Sequence, residues 1–387
     1  MNFLFITYTL LGMIALVLMH YRQFSTDGNH LLVLIFAGMI FSSVLNYTTL
    51  RWSSLVYSAF FVIAFIFYTP SMQMFIDRSQ FRKLLIVVFY LYLVGLIAGQ
   101  LHIYFDLFSP IPGLSGFVRG GFGTILEKNG FRYFSFSSEP SYAAFIVISV
   151  FYAILRLDRS KSGLFKGENL FMFGLLVYMV FMFKSAYGIL LLGMMIVDYV
   201  GVSAKMLVIM LLAIGGIVLL ISSDYEIRAF NRVVSVFKEM DLNNPRTLFA
   251  IDFTAYYRVV PVLYYIEIFD LTNIDFLFGY GAGASRYFVV PEIYSAYQEG
   301  EFLGGFLPSF FYDFGIFGGL LGLMFLSKGI HRVFSFQTAA LLLMMLNANF
   351  NTQLFWLIFL CFYMLEYYRN DEVRMKEQPE SKLNAAG

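Results

Sequence analysis

The stretch LLIVVFYLYLVGLIAGQL, Leu84–Leu101, carries no charge in eighteen residues and is preceded directly by Arg82 and Lys83. Wound as an α-helix it reaches about 27 Å, close to the ~30 Å of hydrocarbon in a bilayer. In lipid each backbone N–H and C=O must find its partner inside the segment, and the strict alternation of a barrel strand is absent, so the stretch reads as a membrane-spanning helix.

Comparable stretches recur along the chain, near residues 3–19, 31–49, 53–69, 141–156, 168–183, 187–201, 205–222, 303–326, 335–350 and 353–368. The second and third spans are close enough to form one hairpin. The expected fold is an all-α polytopic transmembrane helix bundle of about eleven spans, within a range of roughly 10–12. Composition agrees: 59% of the 387 residues are hydrophobic and 13% charged, against roughly 25% charge in a soluble domain. The 47 phenylalanines and 27 tyrosines suit lipid contact and interfacial anchoring. A net charge of +1 argues against a nucleic-acid partner. Cys361, the one cysteine, leaves no intrachain disulfide and no thiolate metal site. The first apolar segment lacks a basic flank and a small-residue cleavage motif, and is expected to be retained as a span.

Basic residues in the short connections set orientation. Arg78, Arg82 and Lys83 follow the third span, Arg156, Arg159, Lys161 and Lys166 the fifth, Lys328 and Arg332 the ninth, and Arg369, Arg374, Lys376 and Lys382 lie in the tail. With eleven spans all four groups share one side, which is then cytoplasmic, with the N-terminus outside and the C-terminus inside. Residues 1–370 form a single membrane domain, and 371–387 read as a disordered cytoplasmic tail. Two long connections, about 102–140 and 223–302, fall outside, and connections of such length are where function concentrates.

Four constellations there could carry chemistry. Glu139-Pro140-Ser141 closes a segment that begins at Arg132. Pro140 suits the first position of a helix, and Glu139 is either a charged cap or a base in a partly dry cavity. Lys184-Ser185 lies in the shortest outer connection, as a snorkelling lysine or as a cation for an anionic head group. The larger loop holds an apolar helix-like segment, Tyr256 to Asp270 with Arg258 in it, and then Gly279-Tyr-Gly281-Ala-Gly283-Ala-Ser285-Arg286. Its glycines permit positive φ and amides turned toward an anion. Arg228 and Arg232 would share a helix face, most simply a solvated one. This loop has six Lys/Arg against eleven Asp/Glu, so its arginines must be gathered locally to hold anything negative. Asp313, early in the ninth span, is a functional candidate by its cost in lipid, or else the structural partner of an arginine. The four histidines show no ligand spacing, and no nucleotide-binding or zinc motif is present.

In this order the segments resemble the O-antigen polymerase and ligase superfamily, and within it the polymerase (Wzy) branch. The resemblance rests on Arg132 ahead of Glu139-Pro140-Ser141, on Lys184-Ser185-Ala-Tyr-Gly188, on Arg258 ahead of Gly279-x-Gly281-x-Gly283, and on Asp313-x-Gly315-x-x-Gly318. It covers roughly residues 115–325. Ligases tend to carry a histidine shortly before the acidic-x-Gly element and an Asn-Pro pair in place of Glu-Pro; neither is found here. Lys184 stands where the family often has threonine or serine. The resemblance implies a GT-C-like membrane glycosyltransferase in the bacterial cytoplasmic membrane, its large outer loop built of amphipathic helices. It would transfer a growing glycan from undecaprenyl diphosphate to the next lipid-linked repeat unit. Partners would be that lipid-linked oligosaccharide, membrane lipid and a chain-length regulator protein, with no metal and no cofactor. Under this reading Glu139 is the base with Asp313 as alternate. Arg258 and Arg286, then Arg132 and Lys184, hold the diphosphate, with Gly279, Gly281 and Gly283 in the substrate loop. A single carboxylate suits direct displacement with inversion. The alternatives are a ligase or other lipid-linked glycosyltransferase, and a flippase for the same lipid. Clean apolar span centres and the lack of a repeat weigh against the flippase.

Overall fold

A computed structural model of the chain describes residues 30–105, 124–127, 130–133, 135–137, 139–158, 167–200, 253–287 and 305–377. Its helices are α1 (His30–Leu45), α2 (Trp52–Phe75), α3 (Arg78–Phe105), α4 (Pro140–Leu157), α5 (Gly167–Phe183), α6 (Ala186–Val200), α7 (Phe253–Glu267), α8 (Ile274–Phe278), α9 (Phe306–Ser327), α10 (Phe336–Asn347) and α11 (Gln353–Glu377). A helix occupies each span expected between 31 and 201 and between 303 and 368; those expected near 3–19 and 205–222 lie outside the described residues. Four helices, α2, α3 from Arg78 to Leu101, α4 and α9, are long and apolar enough to cross a membrane.

The bundle is organised around α4. The apolar window of α4 is 89% buried, whereas that of α3 is 28% buried, so α4 is the interior helix and α3 a peripheral one. Its sequence is apolar on every face, which suits a helix covered on all sides. It packs against α3, α5, α6 and α11. At Gly188 a Cβ would come within 2.8 Å of the Ala144 Cβ, so the close approach of α4 and α6 depends on a residue without a side chain. A second apolar mass gathers Phe65, Phe325, Trp356 and Phe359 from α2, α9 and α11, with centroid separations from 4.5 to 6.2 Å. The Trp356 indole N–H is satisfied by the Phe350 carbonyl at 2.7 Å.

Two features depart from the sequence expectation. A two-stranded antiparallel hairpin, β1 (Thr124–Glu127) and β2 (Gly130–Tyr133), lies within the connection before α4. Its Thr, Ile, Phe and Tyr residues favour extended backbone, and it adds a small β element to the helical bundle. In addition, α11 continues to Glu377, into the stretch read as a disordered tail from 371. Residues there such as Glu372, Arg374, Met375 and Lys376 are strong helix formers, so charge did not end the helix.

Polar contacts collect at the two ends of the bundle. At one end, Asp77 and Gln80 form a reciprocal cap on α3: the Gln80 amide donates to Asp77 Oδ1 at 2.8 Å, and the Asp77 amide to Gln80 Oε1 at 2.9 Å. The Gln80 amide, then the Ser79 hydroxyl, hold the Asp77 carboxyl below its usual range. This cap's contribution is therefore present above the unfolded pKa and fades as pH falls through the folded one. At the same end Tyr368 donates to the Ile76 carbonyl at 2.6 Å, Arg78 to the Leu157 carbonyl at 2.9 Å, and Gln337 to Glu366 at 3.0 Å. Asp198 accepts from the Tyr152 hydroxyl at 2.7 Å and from Arg156 at 2.8 Å, tying α4 to α6. Asp198→Ala orphans the Tyr152 hydroxyl and leaves Arg156 only its bond to the Asp198 carbonyl at 3.0 Å; it is expected to cost about 1–3 kcal/mol, read as a lower melting temperature in detergent. An unchanged melt would show that this tie adds nothing.

Candidate functional site

At the opposite end, α9 is broken. Gly315 has φ 69° and ψ −178° in the middle of a span whose other non-helical residue, Leu307, lies at its start. The break frees carbonyls that the helix would have bonded, and in an apolar setting each needs a partner. They find them. The Tyr265 hydroxyl donates to the Phe311 carbonyl at 3.4 Å, the Tyr280 amide to Tyr312 at 3.0 Å, and the Gly281 amide to Asp313 at 2.9 Å. Ser42 on α1 adds a second bond to the Asp313 carbonyl at 2.9 Å.

The glycine segment that follows α8 is thus laid against the break, and its three glycines have positive φ: 89° at Gly279, 92° at Gly281 and 81° at Gly283. At Gly279 a Cβ would lie 2.3 Å from the Asp313 carbonyl oxygen, and at Gly315 it would lie 2.3 Å from that of Leu277. Two backbones touch there, so neither position has room for a side chain. The Asp313 carboxylate is buried, with Oδ2 accepting from the Gly283 amide at 2.9 Å and Oδ1 from the Ser285 amide at 2.7 Å.

This changes two of the sequence readings. Of the loop's amides, those of Gly283 and Ser285 face an anion, the chain's own Asp313, while those of Gly279 and Gly281 donate to the Asp275 and Asp313 carbonyls. Asp313, the alternate base, has both oxygens engaged by backbone donors, with the Ser285 side chain as a further partner. It acts as an anchor for the loop. The α1–α2 turn clasps the same loop from the other side: Asn46 donates to the Gly279 carbonyl at 2.8 Å, Thr49 to Tyr280 at 2.6 Å, and the Arg51 amide to Ala282 at 2.8 Å. Sequence reading missed Ser42, Asn46 and Thr49. Their one signal is a run of hydrogen-bonding residues at the end of an otherwise apolar span.

Beside this clasp a second group forms from four elements. Glu139 precedes α4 with extended backbone and is exposed; its carboxylate makes no cap bond to the helix amides and instead accepts from the Ser141 hydroxyl at 3.2 Å. Pro140 occupies the first turn of α4, as its fixed φ favours. The Tyr142 hydroxyl donates to the Asn347 carbonyl at 2.9 Å, at the end of α10. The charges of both Glu139 and Arg258 act on that hydroxyl. Arg258, on α7, holds its guanidinium over the Tyr187 ring at 4.8 Å, a favourable stacking of cation on aromatic face. Tyr187 belongs to the first turn of α6, and Ser185 receives the Gly188 amide at 3.2 Å. Lys184, exposed and with φ 47°, turns the chain from α5 into that cap.

Three of the candidate regions, around Glu139, Lys184-Ser185 and Arg258, are thus brought together, with Tyr142 and Tyr187 as linking side chains that sequence reading did not single out. Arg286 lies in the 3₁₀ turn Ala284–Tyr287 beside Gly283. Arg132 falls in β2, opposite Ile125. Arg228 and Arg232 lie outside the described residues. Among the described residues no three His, Cys, Asp or Glu side chains are grouped as metal ligands would be.

No family model, curated protein or solved structure matches this chain.

Proposed function

We propose that this protein is a polysaccharide polymerase of the cytoplasmic membrane, an inverting glycosyltransferase. It moves a growing glycan from undecaprenyl diphosphate to the next lipid-linked repeat unit on the outer face. The observation that carries the reading is that the Arg258 guanidinium, from α7, stacks over Tyr187 at the start of α6, near enough to the start of α4 for its charge and that of Glu139 both to act on the Tyr142 hydroxyl. Glycosyl transfer from a diphosphate needs such a pair: a base for the acceptor hydroxyl and a cation for the departing diphosphate.

In this reading Glu139 takes the proton of the acceptor hydroxyl as that oxygen attacks the anomeric carbon. The carbon–oxygen bond to diphosphate breaks on the opposite face, and the leaving oxygens develop charge against Arg258. A guanidinium meets two phosphate oxygens at once and stays charged at any working pH. Arg286, Arg132 and Lys184 are further cations for the two lipid-linked substrates, and Asp313 with Gly279, Gly281 and Gly283 shapes the loop without taking part in proton transfer. The bundle is given about eleven spans, the basic end cytoplasmic and the glycine-loop end outside, with the N-terminus outside and the C-terminus inside. A chain-length regulator is the protein partner.

Tyr187 offers a graded test of the Arg258 position. Tyr187→Phe keeps the aromatic face and should retain near-normal activity, whereas Tyr187→Ala removes a contact worth about 0.5–1 kcal/mol or more and should lower it several-fold. Equal activity of the two variants would mean that the stacking does not position the arginine.

The reading as a whole is tested by the surface-polysaccharide ladder of a strain lacking this gene. Single-repeat glycan on lipid A, with the ladder restored by wild type and not by Glu139→Gln, is the expected result. Full-length polymer left on the polyprenyl carrier would make the protein a ligase. Single repeats held on the cytoplasmic face would make it a flippase.

A further inference from the structure

From the last residue of α10 to the first of α11 the chain reads Asn347-Ala-Asn349-Phe-Asn351-Thr-Gln353, a run of side-chain amides between two apolar helices. Asn349 is taken up by the turn itself: its Oδ1 accepts from the Phe350 amide at 2.7 Å, and its carbonyl from the Thr352 hydroxyl at 2.7 Å. Asn347 is not. Its Nδ2 donates back to the Leu343 carbonyl at 2.6 Å, one helical turn earlier, which fixes how the amide is turned. The other end of that amide, Oδ1, is buried and has no hydrogen-bond partner among the described residues. A buried acceptor left unbonded is costly. The helix end does not require it, because the Leu343 carbonyl lies four residues before Asn347 and is the regular partner of its backbone amide.

The backbone around Asn347 is held by neighbours from other elements. The Tyr142 hydroxyl, from the first turn of α4, donates to the Asn347 carbonyl at 2.9 Å. The Phe306 amide, at the start of α9, donates to the Ala348 carbonyl at 2.9 Å. Gly305 lies so near the end of α10 that a Cβ there would be 2.4 Å from the Met345 carbonyl oxygen. The helix that carries Arg258, α7, packs on α10 as well. Tyr142 stands three residues after Glu139, and it is the phenol on which the charges of Glu139 and Arg258 both act. An acceptor atom held unbonded on a backbone fixed in this way is suited to a ligand, since a binding group is most precise on rigid elements.

We infer that Asn347 binds the acceptor sugar, its Oδ1 accepting a hydrogen bond from a hydroxyl other than the one that attacks. This role rests on the polymerase reading above and deepens it, adding a residue that determines specificity. The acceptor is favoured over the donor because Tyr142, which bonds to Asn347, follows Glu139 at the same helix end, and Glu139 is the base that meets the acceptor. A sugar ring carries several hydroxyl donors, and a neutral amide oxygen pairs with one of them without adding charge beside the base. A ring lacking that hydroxyl, or presenting it on the other face, would leave Oδ1 buried and unpaired, so the residue selects as well as binds.

Asn347→Leu separates this role from a structural one. Leucine keeps the shape and removes both amide atoms together, so nothing is left unpaired and the purified variant should melt no lower than wild type in detergent. Activity is read as incorporation of labelled single repeat, varied as acceptor, into carrier-linked polymer held saturating as donor. The repeat is extracted from the deletion strain, and the polymer from cells that cannot pass it onward. The apparent KM for the repeat should rise about tenfold or more with kcat little changed, the pattern of a lost binding contact. An unchanged KM in a variant that melts like wild type overturns the inference. So does a fall in kcat alone, which would place Asn347 with the chemistry, and so does a lower melt with KM unchanged, which would make it structural. If the leucine variant does not fold, Asn347→Ala decides by the same KM. A wild-type protein that incorporates no repeat sinks the polymerase reading, and this role with it. A wild type that polymerises beside a variant of unchanged KM sinks this role alone.

Discussion

Asp313→Asn is expected to yield a protein that has lost its glycine loop rather than one that has lost only its chemistry. The carboxylate accepts one amide at each oxygen, from Gly283 at 2.9 Å and Ser285 at 2.7 Å. An asparagine replaces one acceptor by an NH2 group, which faces an amide donor with another donor, and it weakens the remaining bond by removing the charge. A buried donor left unbonded costs about 1–3 kcal/mol, and the repulsion adds to it. Gly279→Ala should do more, because its Cβ meets backbone atoms of Asp313, Phe314 and Gly315 within 2.5 Å, and backbone cannot rotate aside as a side chain can. The left-handed φ of 89° at Gly279 adds about 1–2 kcal/mol for an L-residue. Both variants should elute as aggregated or destabilised protein from size exclusion and melt below wild type in detergent. An Asp313→Asn protein that melts like wild type yet is inactive would restore Asp313 to the reacting centre.

Arg258→Lys and Glu139→Gln are expected to behave in the opposite way, with the fold intact and the activity gone. Glu139 is exposed and its carboxylate bonds only to the neighbouring Ser141 hydroxyl among the contacts seen here, so its amide analogue disturbs little packing. It no longer accepts a proton, and loss of a general base lowers rates by about 10²–10⁴-fold. Arg258→Lys keeps the charge but loses the planar fork and its stacking over Tyr187. Removing a donor aimed at developing charge costs about 10²–10³-fold. The measurement pairs chain-length distribution on a gel with melting temperature for the same purified variants. Near-normal chain length from Arg258→Lys would remove that residue from the site.

How much of this was legible in the sequence depended on whether a residue's partner lay nearby along the chain. The helices were, because a span is recognised from its own eighteen or so residues. The placement of Pro140 at the start of α4 was, because a first-turn proline needs no distant partner. Gly279, Gly281, Gly283 and Asp313 were each noticed, but as a phosphate cradle and as a base. An amide turned outward by a glycine and a carboxylate set in an apolar helix are both groups in search of an opposite charge, and nothing local says that they answer one another. Ser42, whose hydroxyl reaches the Asp313 carbonyl from 271 residues away, carried no local sign of that partner. The same holds for Tyr142 and Tyr187, which sit among 27 tyrosines and acquire meaning only through Arg258.

The break at Gly315 also bears on how the protein is assembled as it leaves the ribosome. A helix entering lipid with the Phe311, Tyr312 and Asp313 carbonyls unbonded would meet a barrier of several kcal/mol, yet each of those groups is answered by a residue made earlier: Ser42, Tyr265, Tyr280 and Gly281. Tyr280 and Gly281 in turn belong to a loop that the Asp313 carboxylate holds, so the hairpin of α1 and α2, the glycine segment and α9 complete one another and are expected to dock as one unit. A released chain that ends at residue 287 should leave its glycine segment undocked, although every residue of the loop and of the hairpin is present.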